Sequence, residues 1–346
     1  MWLFLLWNHA AYASSKECTT IDFTHRFGPL RHQGNTAYCF AFAAADLLGA
    51  ESGIQPPDQI SALDIVSSYI SSSKEELDSL RQNINFENVP LNNSRTLDAD
   101  AIKTGAPLVS RAGGYDDIAM AKALKEGKAC LETELPSQSL KYPEIKARAA
   151  LDPIQYFLED QVLQRSGHKH ISDLRQNIEE RQNPANCTNL VSTIAIIQTE
   201  LLPAINDWAA AHLRQSIVES CRQPVHLKNV QIHRAYFIEA DDKRRSLKTM
   251  NRILESGHPF ILGHHSTLLE GGHPKRSEIL NHSSVVTGRR WNSKTNRCEV
   301  QIRNSYGKQC FNVSSEIECH KGYTWVSQEA IANSDHRMIY LTPTSK

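Results

Sequence analysis

Apolar positions in the first third of the chain fall at helical intervals. The run "CFAFAAADLL", Cys39 to Leu48, is nearly all small or apolar and ends near Gly49 to Gly53, which favours helix. "PPDQISALDIVSSYI" carries Ile60, Leu63, Ile65, Val66 and Ile70 at roughly helical spacing. Residues 71–112 are polar and Ser/Asn-rich and read mostly as loop. "GGYDDIAMAKALKEGKAC" then predicts a Gly-Gly turn and a helix through Ile118, Met120, Ala121 and Leu124, stopped by Gly127.

From about 145 to 222 the texture changes. Leu151, Ile154, Leu158 and Val162 repeat helically, as do Ile194, Ile197, Leu201, Ile205 and Trp208, with Pro203 a kink or helix start. Beyond 225 the pattern turns to strands: "AYFIEA", "HPFILGHH", "LNHSSVVTG", "CEVQIRNS" and "GYTWVS" are short, β-branched or aromatic, and separated by polar clusters. A helix from Leu247 to Leu254 precedes the second of these. The sum is an α+β chain, with helices first, a helical block in the middle and an antiparallel sheet last.

A length of 346 residues favours two packed lobes or one lobe with a large insertion. The 38 basic and 38 acidic side chains cancel, which argues against nucleic acid or an anionic membrane held by bulk charge. No stretch approaches a membrane span. At the N-terminus, an apolar run from Trp2 to Trp7 precedes Ala11-Tyr12-Ala13, a small-x-small cleavage pattern. The expectation is a signal peptide over 1–13 and an exported chain, periplasmic or extracellular, beginning near Ser14. Eight cysteines suit an oxidising compartment, where most would pair, and Cys310 with Cys319 is the first bridge expected.

Cys39 stands where a polar turn, Gly34 to Thr36, meets the apolar run. A thiol at a helix N-terminus feels the positive end of the helix dipole, so a lowered pKa is expected there. Gln33, six residues earlier, can join the backbone N–H of Cys39 in stabilising an oxyanion. A thiol nucleophile also needs a base and a group to orient that base. "ILNHSSVVTG" puts His282 on one strand and "VQIRNSYGK" puts Asn304 on the next, with Tyr306 placed to cover their hydrogen bond.

Taken together these segments resemble the papain-like cysteine peptidases. Gln33-Gly34 followed by Cys39-Phe40-Ala41-Phe42 matches that family's nucleophile segment. Asn281-His282 matches its histidine strand, and Asn304-Ser305-Tyr306-Gly307 its asparagine segment. "QISALDIVSSY" and the Gly113-Gly114 stretch resemble its second helix and its substrate-pairing glycines. The likeness runs over about 20–140 and 225–345, with 145–222 as a helical insertion between two lobes. It implies a helical left lobe over 14–144, a β-rich, barrel-like right lobe over 223–346, and a cleft between them.

By this resemblance Cys39 is the nucleophile, His282 the general base and acid, Asn304 its orienter and Gln33 the oxyanion donor. Gly113, Gly114, Tyr115, Leu280 and Ser283 would contact substrate, and Phe40 and Tyr306 would supply the aromatic walls. The implied activity is peptide-bond hydrolysis through a thioacyl-enzyme, with no metal or organic cofactor. Its partners would be a peptide or protein substrate and a proteinaceous inhibitor. The family's usual disulfide partners are here Thr36 and Arg111, absent as a pair, and its usual tryptophans are Phe40 and Tyr306. The short stretch ahead of Gln33 leaves no room for the family's N-terminal propeptide, so latency would come from the insertion or from a separate inhibitor.

Other features carry less. His258, His264, His265 and His273 make a metal site conceivable, but without the carboxylate or Cys support usual for zinc. Asn92, Asn186, Asn281 and Asn312 each open an N-x-[ST] sequon, and a glycan on Asn281 would obstruct His282. "DDKRR" at 241–245 reads as a solvated face ahead of a helix. Two other readings keep the same residues: a transferase or amidase acting on non-peptide bonds, and a binding protein whose chemistry has weakened.

Overall fold

The structure is a computed structural model that describes residues 18–33, 38–82, 84–87, 114–137, 214, 215, 218, 221–237, 243–270, 280–310, 313–315 and 317–344. The segment 1–13, most of 145–222, Gly34 to Thr36, Arg111, Gly113, Cys187, His273 and the sequons at Asn92, Asn186 and Asn312 lie outside these residues.

The described chain is α+β, helices against a largely antiparallel sheet. In chain order its helices are α1 Cys39–Ser52, α2 Ala62–Ile70, α3 Lys74–Gln82, α4 Asp116–Glu126, α5 Lys243–Glu255 and α6 Gln328–Ala332. Its strands are β1 Ile21–Asp22, β2 Asn85–Glu87, β3 Lys128–Ala129, β4 Val225–His226, β5 Val230–Phe237, β6 Phe260–His264, β7 His282–Asn292, β8 Arg297–Arg303, β9 Glu318–His320, β10 Tyr323–Ser327 and β11 His336–Pro343. The main sheet runs β2-β5-β11-β6-β7-β8-β10-β9 with β1 also on β7, and all its pairings are antiparallel except β2 with β5. β3 and β4 make a separate ribbon.

Strand alternation sends successive side chains to opposite faces. Ile232, Ile261, Val285, Ile339 and Leu341 form the floor on which α1, α2 and α4 pack. Phe260, Leu262, Val286, Ile302, Met338 and Tyr340 point the other way, toward Met250, Ile253 and Leu254 of α5 and Ile331 of α6. The sheet is therefore the middle of three layers. α1 is buried along nearly its whole circumference, as a helix apolar all round must be. Its alanines allow close approach, and Gly53 ends it in the left-handed region at φ 74°.

Several elements depart from the sequence reading, among them β2, which lies in the stretch read as loop, and β11, a central strand that the reading does not include. Residues 74–82, read as loop, form α3, because Leu77 and Leu80 lie one turn apart and are both buried. The helix expected from Leu247 begins at Lys243, so Lys243 to Arg245 of the basic run belong to it. Two disulfides, Cys18–Cys298 and Cys130–Cys221, tie distant segments, and a third, Cys310–Cys319, closes a local loop. Among the described residues Cys39 is the free cysteine. No helix among them is long and apolar enough to cross a membrane.

Candidate active site

The N-terminus of α1 meets the beginning of β7. Tyr38 caps α1 through its backbone carbonyl, which accepts from the N–H groups of Ala41 and Phe42 at 2.9 and 3.2 Å. Cys39 is thus the first helical residue, and it is 7% exposed. The backbone N–H groups of Phe40 and of Ser283, the residue after His282 on β7, face its sulfur and favour the thiolate. The head of α1 thus lies against the histidine strand.

His282 is 4% exposed, and its Nε2 lies 2.8 Å from Oδ1 of Asn304. The same oxygen accepts the N–H of Ser305 at 2.8 Å. An atom that accepts a backbone N–H is the amide oxygen, so Nε2 of His282 must be the donor. In the neutral ring Nδ1 then holds the lone pair. Asn304 reaches His282 by alternation: on β8, Arg303 points to the α1 side and Asn304, just past the strand end, to the other. Tyr306 lies flat on the His282 ring, with centroids 5.2 Å apart and planes 12° apart.

Gln33 is held by a two-bond ladder between 31–33 and 305–307: Gln33 N–H to Ser305 O at 2.8 Å, and Gly307 N–H to Arg31 O at 2.9 Å. The Ser305 hydroxyl donates to Oε1 of Gln33, which fixes the amide NH2 as its donating end. The structure thus gathers Cys39, His282, Asn304, Ser305, Tyr306 and Gln33 around the facing ends of α1, β7 and β8.

Other expected residues take different places. Phe40 is buried in the helical core, its ring 5.1 Å from that of Tyr69. Gly114 packs on it, and a Cβ there would lie 2.6 Å from the Phe40 ring, so close approach to Phe40 explains this glycine. Tyr115 is the half-buried residue that precedes α4, and Leu280 is half-buried just ahead of β7. Ser283 is buried, and its Oγ lies 3.4 Å from Nη2 of Arg337.

The expected lowering of the thiol pKa is overturned. Burial pushes Cys39 up to about 11, and the Asp116 carboxylate adds to the rise. The two N–H groups and Arg337 only partly offset it. Loss of hydration outweighs the helix dipole, even at the first helical residue. Burial likewise lowers His282, and the bond to Asn304 pushes back without reversing it. At neutral pH the resting pair is therefore thiol and neutral imidazole.

Several charged residues that sequence reading passed over hold this site together. Asp46, two turns along α1 from Cys39, binds Nη2 of Arg31 at 2.6 Å and Nε of Arg303 at 2.7 Å. Arg31 also pairs with Glu132 at 2.9 Å. Burial alone would raise Asp46, but Arg303 and Arg31 outweigh it and hold the carboxyl below its usual range. Arg31 lies two residues from Gln33 and Arg303 precedes Asn304, so this cluster anchors both to α1. In the first turn of α4, Asp116 pairs with Arg337 of β11 and Asp117 with Arg234 of β5. Gly263 leaves room for Arg337, since a Cβ there would lie 2.5 Å from it. The doubled Asp of "GGYDD" and the lone arginines within apolar strands were the available signal.

Of the histidines weighed for metal, His273 lies outside the described residues. His258 pairs with Glu51, and His264 lies inside the sheet layer. Among the described residues no three His, Cys, Asp or Glu side chains form a group that could hold a metal ion. Asn281 accepts the N–H of Ser266 at 2.9 Å, tying the turn after β6 to the start of β7.

No protein-family model matches the sequence, and no curated protein matches it significantly. Among solved structures the chain is similar to one from a study of antibody cross-reactivity between the mite allergens Blo t 1 and Der p 1. That match has 14% identity, covers 97% of this chain and 73% of that one, and has a TM-score of 0.43. A second is the ragweed pollen allergen Amb a 11, a cysteine protease in its proform, at 11% identity, 97% and 69% coverage and a TM-score of 0.41. A third is procathepsin L 3 of Tenebrio molitor larval midgut, at 12% identity, 94% and 71% coverage and a TM-score of 0.43.

Proposed function

We propose that this chain is an exported, papain-like cysteine peptidase that hydrolyses peptide bonds through a thioacyl-enzyme. The observation that carries the reading is the joint placement of a free thiol and an oriented imidazole. The Cys39 sulfur faces the N–H of Ser283, the residue that follows His282, and His282 is tied through Nε2 to Asn304. Nδ1 is thereby left as the base.

With both partners neutral at rest, proton transfer and attack go together. Nδ1 of His282 takes the Cys39 proton as Sγ bonds to the scissile carbonyl carbon. The Asn304 oxygen, already an acceptor, stabilises the imidazolium that forms. The oxyanion takes hydrogen bonds from the Cys39 backbone N–H and the Gln33 amide. The imidazolium then gives its proton to the leaving amine as the C–N bond breaks. Water, deprotonated by the same nitrogen, releases the acid and restores the thiol.

In this reading Tyr115, Leu280 and Ser283 border the substrate. Three disulfides suit an oxidising compartment. The 145–222 block is read as an insertion between two lobes, and Cys130–Cys221 joins described residues before it and at its end. The test is hydrolysis of a peptide library alongside ester and non-peptide amide substrates by wild type and Cys39→Ala. Cleavage of peptides that the variant loses supports the reading. Cleavage confined to the other substrates points to a different hydrolase, and equal activity in both proteins overturns a thiol mechanism.

A further inference from the structure

His264 is a buried ionisable side chain that the chemistry above does not use. It is 0% exposed, and on β6 it stands directly opposite His282 of β7. Opposed residues of antiparallel strands share a face and touch. The two imidazoles meet edge to face, with centroids 5.2 Å apart and planes 86° apart.

Both nitrogens of His264 are committed. Nδ1 lies 2.9 Å from the His265 carbonyl oxygen, which can only accept, so Nδ1 carries the proton. Nε2 is then an acceptor and takes the Ser284 hydroxyl at 3.3 Å. A fully buried polar ring is costly unless both ends are bonded, and here both are. The ring cannot rotate without breaking one bond, so it is a fixed wall against His282. Tyr306 is stacked on the same imidazole, which is thus confined by two rings as well as by Asn304.

We propose that His264 is a positioning residue for His282, its doubly tethered neutral ring holding that imidazole in the orientation that keeps Nε2 on Asn304 and Nδ1 toward Cys39. The inference rests on His282 being the general base. The titratable groups near the two rings are His265 beside His264, His336 on β11, Cys39 at the head of α1, and Tyr306. Burial, then the charge of His282, pull His264 down to about 3, so it stays uncharged through the working range.

The experiment is an NMR titration of the His282 ring in the full chain, paired with steady-state kinetics, for wild type, His264→Ala, His264→Phe and Ser284→Ala. His264→Ala opens space for water beside His282, so the His282 pKa rises toward its ordinary value. kcat falls about tenfold or more as the ring gains freedom, while KM stays within about twofold. His264→Phe restores the wall and returns kcat to within about threefold of wild type with the low pKa kept. Ser284→Ala removes one tether, leaves the core filled, and shifts both quantities less, in the same direction. Unchanged pKa and kcat in His264→Ala, or in Ser284→Ala should that variant not fold, overturn the proposal, as does a Phe variant as impaired as Ala. The NMR arm reads the contact even if wild type cleaves no peptide, so failure of this inference and failure of the functional reading are distinguishable.

Discussion

On the α1 side of the sheet, buried charges sit beside opposite charges: Asp46 between Arg31 and Arg303, Asp116 with Arg337, and Asp117 with Arg234. At the ends of β6 and β7, on the opposite face, the buried ionisable groups are His264 and His282, and both are held uncharged. The first region uses charge, held on Asp46 by its two arginines, to fix where helices and strands meet, while burial raises Asp116 despite Arg337. The second uses hydrogen bonds and burial to keep both rings neutral at rest, with only His282 placed to take a proton. Cys39 lies at their junction, its thiol raised by burial and by one member of the charged set, Asp116. An ion pair can orient a backbone without reacting, whereas a base must begin with its lone pair available. Separating the two jobs by sheet face lets each be disturbed alone.

The sharpest break of the comparison is Cys39→Ala. It should leave the charged region and the thermal midpoint nearly unchanged while lowering peptide hydrolysis at least ~1,000-fold. Asp46→Ala should do the reverse. It strands two buried arginines, so chemical denaturation should show a loss of about 3–5 kcal/mol with residual activity in the folded fraction. Asn304→Ala acts within the neutral region. Loss of a charge-assisted bond to the imidazolium, worth about 1.5–3 kcal/mol, predicts kcat down roughly 10- to 100-fold with the melting curve little moved.

Smaller effects come with pH, and the two regions respond in different windows. The productive form needs neutral His282, whose pKa is lowered, so kcat/KM should stay flat through the ordinary imidazole range and fall only as pH drops below it. Asp46 has a lowered folded pKa, so its stabilisation is fully present above the unfolded value of about 3.9 and is lost as pH falls through the folded value. Urea midpoints against pH for wild type and Asp46→Asn check this, the variant giving the flatter curve.

Much of the candidate site was legible in local sequence because its residues sit in short distinctive segments. Cys39 heads an apolar run, His282 opens a β-branched strand, and Asn304 begins "NSYG". The helices α1, α2 and α4 and five of the main-sheet strands were legible from periodicity for the same reason. What escaped depends on distance or on solvent. Asp116 finds Arg337 221 residues away, and no local pattern announces that pair. The tether of His264 to Ser284 needs the β6–β7 register, which periodicity does not supply. α3 was missed because two leucines among seven polar residues make a faint stripe. The sign of the Cys39 shift was missed because helix position is visible in sequence while loss of hydration is not.

The account turns on Cys39 and His282 acting as one neutral unit. Its most direct test is the pH-dependent rate of Cys39 alkylation by a peptidyl epoxide, in wild type and in His282→Ala. The account predicts modification of Cys39, with a wild-type rate that falls as pH drops through the lowered His282 pKa, and loss of that labelling in the variant. Equal labelling of both proteins, rising only toward pH 11 as a lone buried thiol would, would contradict it.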